Sequence, residues 1–91
     1  MIGEAMALFA VDQLQRAASS VTLNVAEGAG EFSPAEKARF YRMAKRSATE
    51  CAAILDVARR RSCLSQEHFG KGRSLLLRVV GMLVKLTRAH S

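Results

Sequence analysis

An all-α fold, a single helical-bundle domain over residues 1–91 with three main helices, is predicted by three features of this sequence. Apolar residues recur at three- and four-residue steps over long stretches, the spacing of one helix face. Hydrophobic residues make up 49% of the chain but aromatic ones only 5%, with four Met and many Ala, a composition that suits close helix-on-helix packing. A single Pro and few β-branched residues point the same way. A chain of 91 residues buries only about 60–65% of its unfolded surface on folding, so an isolated copy is expected to be marginal.

The first helix is predicted from about Ala5 to Ala29, where Leu8, Val11, Leu14, Ala18, Val21 and Val25 keep the helical spacing. Its middle, Ala17 to Thr22, has weaker propensity because Ser and Thr offer the backbone competing hydrogen bonds. Packing must hold this stretch, and its small residues make it a contact seam. Gly28-Ala29-Gly30-Glu31-Phe32 is expected to end the helix through a glycine in the left-handed conformation. Ser33-Pro34-Ala35-Glu36 then opens the second helix: serine caps, proline has no donor to lose at the first position, and Glu36 completes a capping box.

Helix two is predicted from Pro34 to about Arg60, with Phe40, Tyr41, Ala44, Ser47, Ala48, Cys51, Ile54, Leu55 and Ala58 forming a stripe close to a seven-residue repeat. Phe40 is expected in the core. After a turn at Ser62-Cys63-Leu64, Ser65 caps a third helix that carries Glu67 in its first turn and runs to about Arg88. So short a connection makes helices two and three an antiparallel hairpin. Leu75, Leu76, Leu77, Val79, Val80, Met82, Leu83, Val84 and Leu86 cover most of helix three's circumference, more than one partner can bury. A fourth helix or a second subunit is therefore expected against it.

Fourteen Lys and Arg against eight Asp and Glu give a formal charge of +6, a field that attracts anions, nucleic acid foremost, and also keeps a protein soluble. Cys51 and Cys63 have no CxxC or histidine at ligand spacing, so they read as reduced thiols of a cytoplasmic protein, with no metal site. No apolar stretch reaches the roughly 20 residues that span a bilayer, and the start of the chain does not have the pattern of a signal peptide. A nucleophile elbow, a phosphate loop, a dinucleotide fingerprint and an HExxH pair are all missing. No catalytic residue and no cofactor is implied, and a non-enzymatic protein is expected.

Two polar groupings remain. Arg16, Ser20, Asn24 and Glu27 step along one side of helix one, where they could reach Ser47 and Glu50 of helix two. A strip of this kind either binds a polar ligand or fixes helix register, and the structural reading is preferred. Lys37, Arg39, Arg42, Lys45 and Arg46 crowd the start of helix two, with Arg39, Arg42 and Arg46 on a shared face. They form the candidate nucleic-acid surface. Arg59, Arg60 and Arg61 extend it, together with Lys71 and Arg73, if the hairpin turn lies beside it, although a helix C-terminus accounts for the arginine triplet by itself.

The run Gln13 to Gly28, with Arg16, small residues and an Asn24-Val25-Ala26-Glu27-Gly28 ending, resembles the signature of the 23S rRNA intervening-sequence protein family. Lys37 to Asp56, with Ser47 and Glu50 as a Ser-x-x-Glu element, resembles that family's next helix. Helix three is similar only in length and pattern. The resemblance implies an up-and-down bundle of the four-helix type, found as homopentamers and related to the basic, nucleic-acid-binding accessory variability determinant of diversity-generating retroelements. Relatives have a complete helix before the signature, so the family's first helix is missing here or reduced. A truncated start, a shortened natural variant, or a gap filled by another subunit with the bundle completed by oligomerisation all fit. Expected partners are therefore copies of the chain itself, RNA or DNA, and a protein partner, with no membrane. The family supplies no catalytic residues to transfer.

Overall fold

The computed structural model describes residues 2–90 and contains three helices, α1 (Ile2–Gly30), α2 (Pro34–Arg60) and α3 (Gln66–His90), with no strand among the described residues. Ser33 caps α2, its Oγ accepting from the Glu36 N–H at 3.3 Å, but only half of the expected capping box forms. The Glu36 carboxylate turns the other way and accepts from Arg39. The expected left-handed glycine is also absent, because no described glycine has positive φ and the helix runs through Gly28 to Gly30. Lys37 ends α1 instead: its Nζ reaches back across the turn and donates to the Gly28 and Ala29 carbonyls at 3.2 and 3.1 Å. An ammonium at a helix C-terminus satisfies orphan carbonyls and opposes the negative end of the dipole.

The second connection does contain a left-handed residue, and it is a serine. Ser62 has φ 59°, its N–H bonds the Arg59 carbonyl at 3.1 Å, and the Cys63 N–H bonds the Ala58 carbonyl at 2.8 Å. That pair of bonds is a Schellman closure with Ser62 where glycine is usual. Ser65 then caps α3, its Oγ accepting from the His68 N–H at 3.1 Å.

α2 is central. Two of its seven-residue columns, Tyr41-Ala48-Leu55 and Ala44-Cys51-Ala58, are buried along their whole length. On one side α1 runs antiparallel to it, since Gly28 lies under the Tyr41 ring and Ser20 bonds Ser47. On the other side α3 runs antiparallel too, with Tyr41 against the His90 ring at 5.7 Å and Leu55 over Gly72. Tyr41, Ala44 and Leu83 form the core cluster, and Val21 and Val25 of α1 and Val79 of α3 pack on it. Phe40 is not in that core. It is half-buried beneath the Arg39 guanidinium, 4.6 Å from the ring centroid.

α1 and α3 each contact α2, but their Cα atoms nowhere come within 8 Å of each other. Three helices on three corners of a square of side ~10 Å measure about 19 by 12 Å across their Cα cylinders, whereas a closed triangle measures about 15 by 13 Å. The molecule measures 49 × 20 × 13 Å. It is an open three-cornered bundle, and of α3's residues only Leu83 is buried. The apolar excess read from helix three is thus left uncovered: Leu75 and Met82 are each 58% exposed, and Val11 of α1 is 52% exposed.

Candidate nucleic-acid interface

The cationic start of α2 divides by what each side chain already holds. Lys37 is spent on the carbonyls that end α1. Arg39 makes two hydrogen bonds to Glu36 Oε2, at 3.1 and 2.9 Å, and lies over Phe40. Arg42 and Arg46, one turn apart and exposed, and the half-buried Lys45 have no carboxylate within ion-pair distance and no side-chain hydrogen bond among the described residues. They leave their donors to solvent or to an anion. Arg39 borders them with one neutralised charge.

The arginine triplet is elsewhere. From Arg46 to Arg59 the helix rises by about 20 Å, so the hairpin turn does not lie beside the first group. Arg59 donates from Nε to Gln66 Oε1 at 2.7 Å and ties the turn, while Arg60 pairs with Asp56 at 3.0 Å. Lys71 pairs with Glu67 at 3.2 Å. Arg61 is exposed and no acidic partner faces it among the described residues. The extension through Arg59, Arg60, Arg61, Lys71 and Arg73 is accordingly a separate region, in which Arg60 and Lys71 are paired with carboxylates. Sequence reasoning missed one residue at the first site: the antiparallel register fixed by Tyr41 with His90 sets the exposed Arg88 of α3 level with Arg42 and Lys45. The hairpin and its register were the signal for it.

The polar strip also divides. Ser20 and Ser47 share a 2.7 Å hydrogen bond between α1 and α2, and Asn24 Nδ2 donates to the Ser20 carbonyl and Oγ at 2.8 and 3.2 Å. Ser47 is buried, and its hydroxyl is paired only when the two helices keep this register. Arg16 turns outward to Asp12 at 3.2 Å, and Glu27 and Glu50 are exposed, so these three do not join the network. Cys51 is buried, and burial first and the Glu50 charge second push its thiol pKa up, so it stays protonated and unreactive. Among the described residues no group of three or more His, Cys, Asp or Glu could hold a metal. No described helix is long and apolar enough to cross a membrane.

A family model described as 23S rRNA-intervening sequence protein matches residues 6–85. The chain belongs to this family. The match takes in α1, α2 and most of α3, and so extends the likeness of Gln13–Gly28 and Lys37–Asp56 into the third helix. No curated protein and no solved structure showed a significant match to this 23S rRNA-intervening sequence protein.

Proposed function

We propose that this member of the family is a non-catalytic, cytoplasmic adaptor that binds RNA or DNA phosphates through the α2 face bearing Arg42, Lys45 and Arg46, with Arg39 and Arg88 at its edges. The observation that carries this reading is the division of labour among the cations. Lys37, Arg39, Arg59 and Arg60 are engaged in caps, hydrogen bonds or ion pairs, whereas Arg42, Lys45 and Arg46 lie close together on α2 with their donors unengaged among the described residues. A solvated row with no acidic partner is what a phosphate backbone requires, since contacts of this kind set affinity without reading sequence. Self-association, into a ring of five by family resemblance, would repeat a weak site and raise avidity. It is supported by an apolar groove of about 310 Å³ between the start of α1 and the end of α2, lined by Met6, Phe9, Ile54 and Val57. Burying such a surface against another copy would steady a chain of marginal size.

The exposed apolar surface also favours a second reading, a protein-interaction module whose charge only keeps it soluble. Charge reversal separates the two. In fluorescence anisotropy with mixed-sequence RNA and DNA oligonucleotides, Arg42→Glu/Arg46→Glu is expected to abolish binding while circular dichroism stays unchanged. Equal binding by the parent and the variant would defeat the phosphate reading.

A further inference from the structure

Arg39 is held unlike the other cations at the start of α2. Its Nε and Nη2 both donate to Glu36 Oε2, at 3.1 and 2.9 Å, and its Nη1 reaches Met43 Sδ at 4.0 Å. One face of the guanidinium lies against Phe40, with Cζ 4.6 Å from the ring centroid. The side edge that would grip an oxyanion with two parallel donors is taken, and the Glu36 carboxylate offsets the charge. Arg39 therefore draws a phosphate more weakly than Arg42 or Arg46, whose donors are unengaged among the described residues. Its plane, by contrast, is fixed, and with the side chain 51% exposed the face turned away from Phe40 meets solvent. Phe32 adds a second flat surface at the same end of the helix. It stands in the turn just ahead of α2 and is 99% exposed, so packing within the chain does not account for it. Along the helix axis the order is Phe32, Arg39, Arg42 and Arg46, the last three within a rise of about 10 Å.

We propose that the free face of the Arg39 guanidinium stacks on an unpaired base, with Phe32 as a second stacking surface, so that the nucleic acid held by this face of α2 is single-stranded. This rests on the phosphate contacts of Arg42, Lys45 and Arg46 proposed above and adds the part of the ligand that lies between its phosphates. In a duplex the bases cover one another and offer only their edges, so a flat cation and an exposed ring find nothing to cover. In a single strand the bases splay out, and guanidinium planes and aromatic rings receive them whatever the sequence. Glu36 and Phe40 hold the Arg39 plane before any ligand arrives, so little side-chain freedom is lost on binding. RNA and DNA strands both supply this combination of base face and phosphate.

The test titrates the full chain into fluorescein-labelled oligonucleotides of about 12 nucleotides: an RNA strand, a DNA strand of the same sequence, a DNA strand made abasic at most positions, and an RNA duplex. The better of the two intact strands is expected to bind roughly tenfold or more tightly than the abasic strand and the duplex, and it names the sugar. Charge alone predicts the opposite order for the duplex, whose phosphates are denser. Arg39→Lys keeps the charge and loses the plane. It should weaken the intact strand roughly fivefold or more while leaving the abasic strand and the salt slope unaltered, and Phe32→Ala should act in the same direction, both with unchanged circular dichroism. Binding of the abasic strand or the duplex as tightly as the intact strands, or indifference of the intact strands to Arg39→Lys combined with Phe32→Ala, would overturn the proposal. The phosphate reading survives either result if Arg42→Glu/Arg46→Glu still abolishes binding, whereas binding to none of the oligonucleotides would defeat both.

Discussion

Gly28 and Gly81 are both helical glycines, and alanine separates the reasons for their presence. A Cβ at Gly28 would sit 2.7 Å from Tyr41 Cε1, in a ring that is itself buried between α1 and α3 and cannot swing aside. Gly28→Ala is therefore expected to lower stability by about 1–3 kcal/mol, despite alanine's better helix propensity. At Gly81 nothing lies within 4 Å, so Gly81→Ala is expected to raise stability by about 0.5–1 kcal/mol. Denaturant midpoints of the two variants, moving in opposite directions, would check both. Single residues were legible unequally. The Ser33 cap could be read from Ser-Pro-Ala-Glu because a cap is local. Lys37 could not be read as the end of α1, because it acts across eight and nine residues through a hairpin whose geometry no local pattern encodes.

Among the elements, the helix limits follow the sequence closely: α2 spans the predicted Pro34–Arg60, and α1 and α3 run slightly past their predicted ends. Capping residues and heptads are short-range signals and survive folding. What misled was the glycine run after α1, where Gly28 serves close approach to Tyr41 rather than a left-handed turn. The left-handed position fell instead on Ser62, whose hydroxyl makes no hydrogen bond among those described. An L-residue there costs roughly 1–2 kcal/mol, part of which glycine returns as freedom of the unfolded chain. Ser62→Gly is thus expected to raise stability by about 0.5–1 kcal/mol, visible as a higher thermal midpoint with unchanged helix content. The candidate site was legible only as a list of cations. Which of them are engaged depends on Glu36, Gln66 and the α1 carbonyls, and hence on tertiary placement.

For the whole molecule, the open corner explains why so much apolar surface surrounds a core as small as Tyr41, Ala44 and Leu83. With Leu83 the one buried residue of α3, Leu83→Ala is expected to lower stability by about 2–5 kcal/mol and to loosen α3 from the hairpin. Chemical denaturation measures the loss, and a near-neutral result would mean that α3 is not held through this contact. The same openness sorts the molecule into separate surfaces: a cationic face on α2, an apolar groove between α1 and α2, and an uncovered apolar corner between α1 and α3. An excess of positive charge was plain from composition, but its distribution among caps, pairs and free donors emerged only from the fold.

The central claim, that Arg42, Lys45 and Arg46 engage phosphates, is tested most directly by the salt dependence of binding to a single-stranded RNA oligonucleotide. Three phosphate contacts per copy predict a slope of log K against log salt of about −2, roughly a 20-fold loss between 50 and 200 mM, and a shallower slope for Arg42→Glu. Affinity that holds across that range, or a slope that the substitution leaves unchanged, would contradict the account.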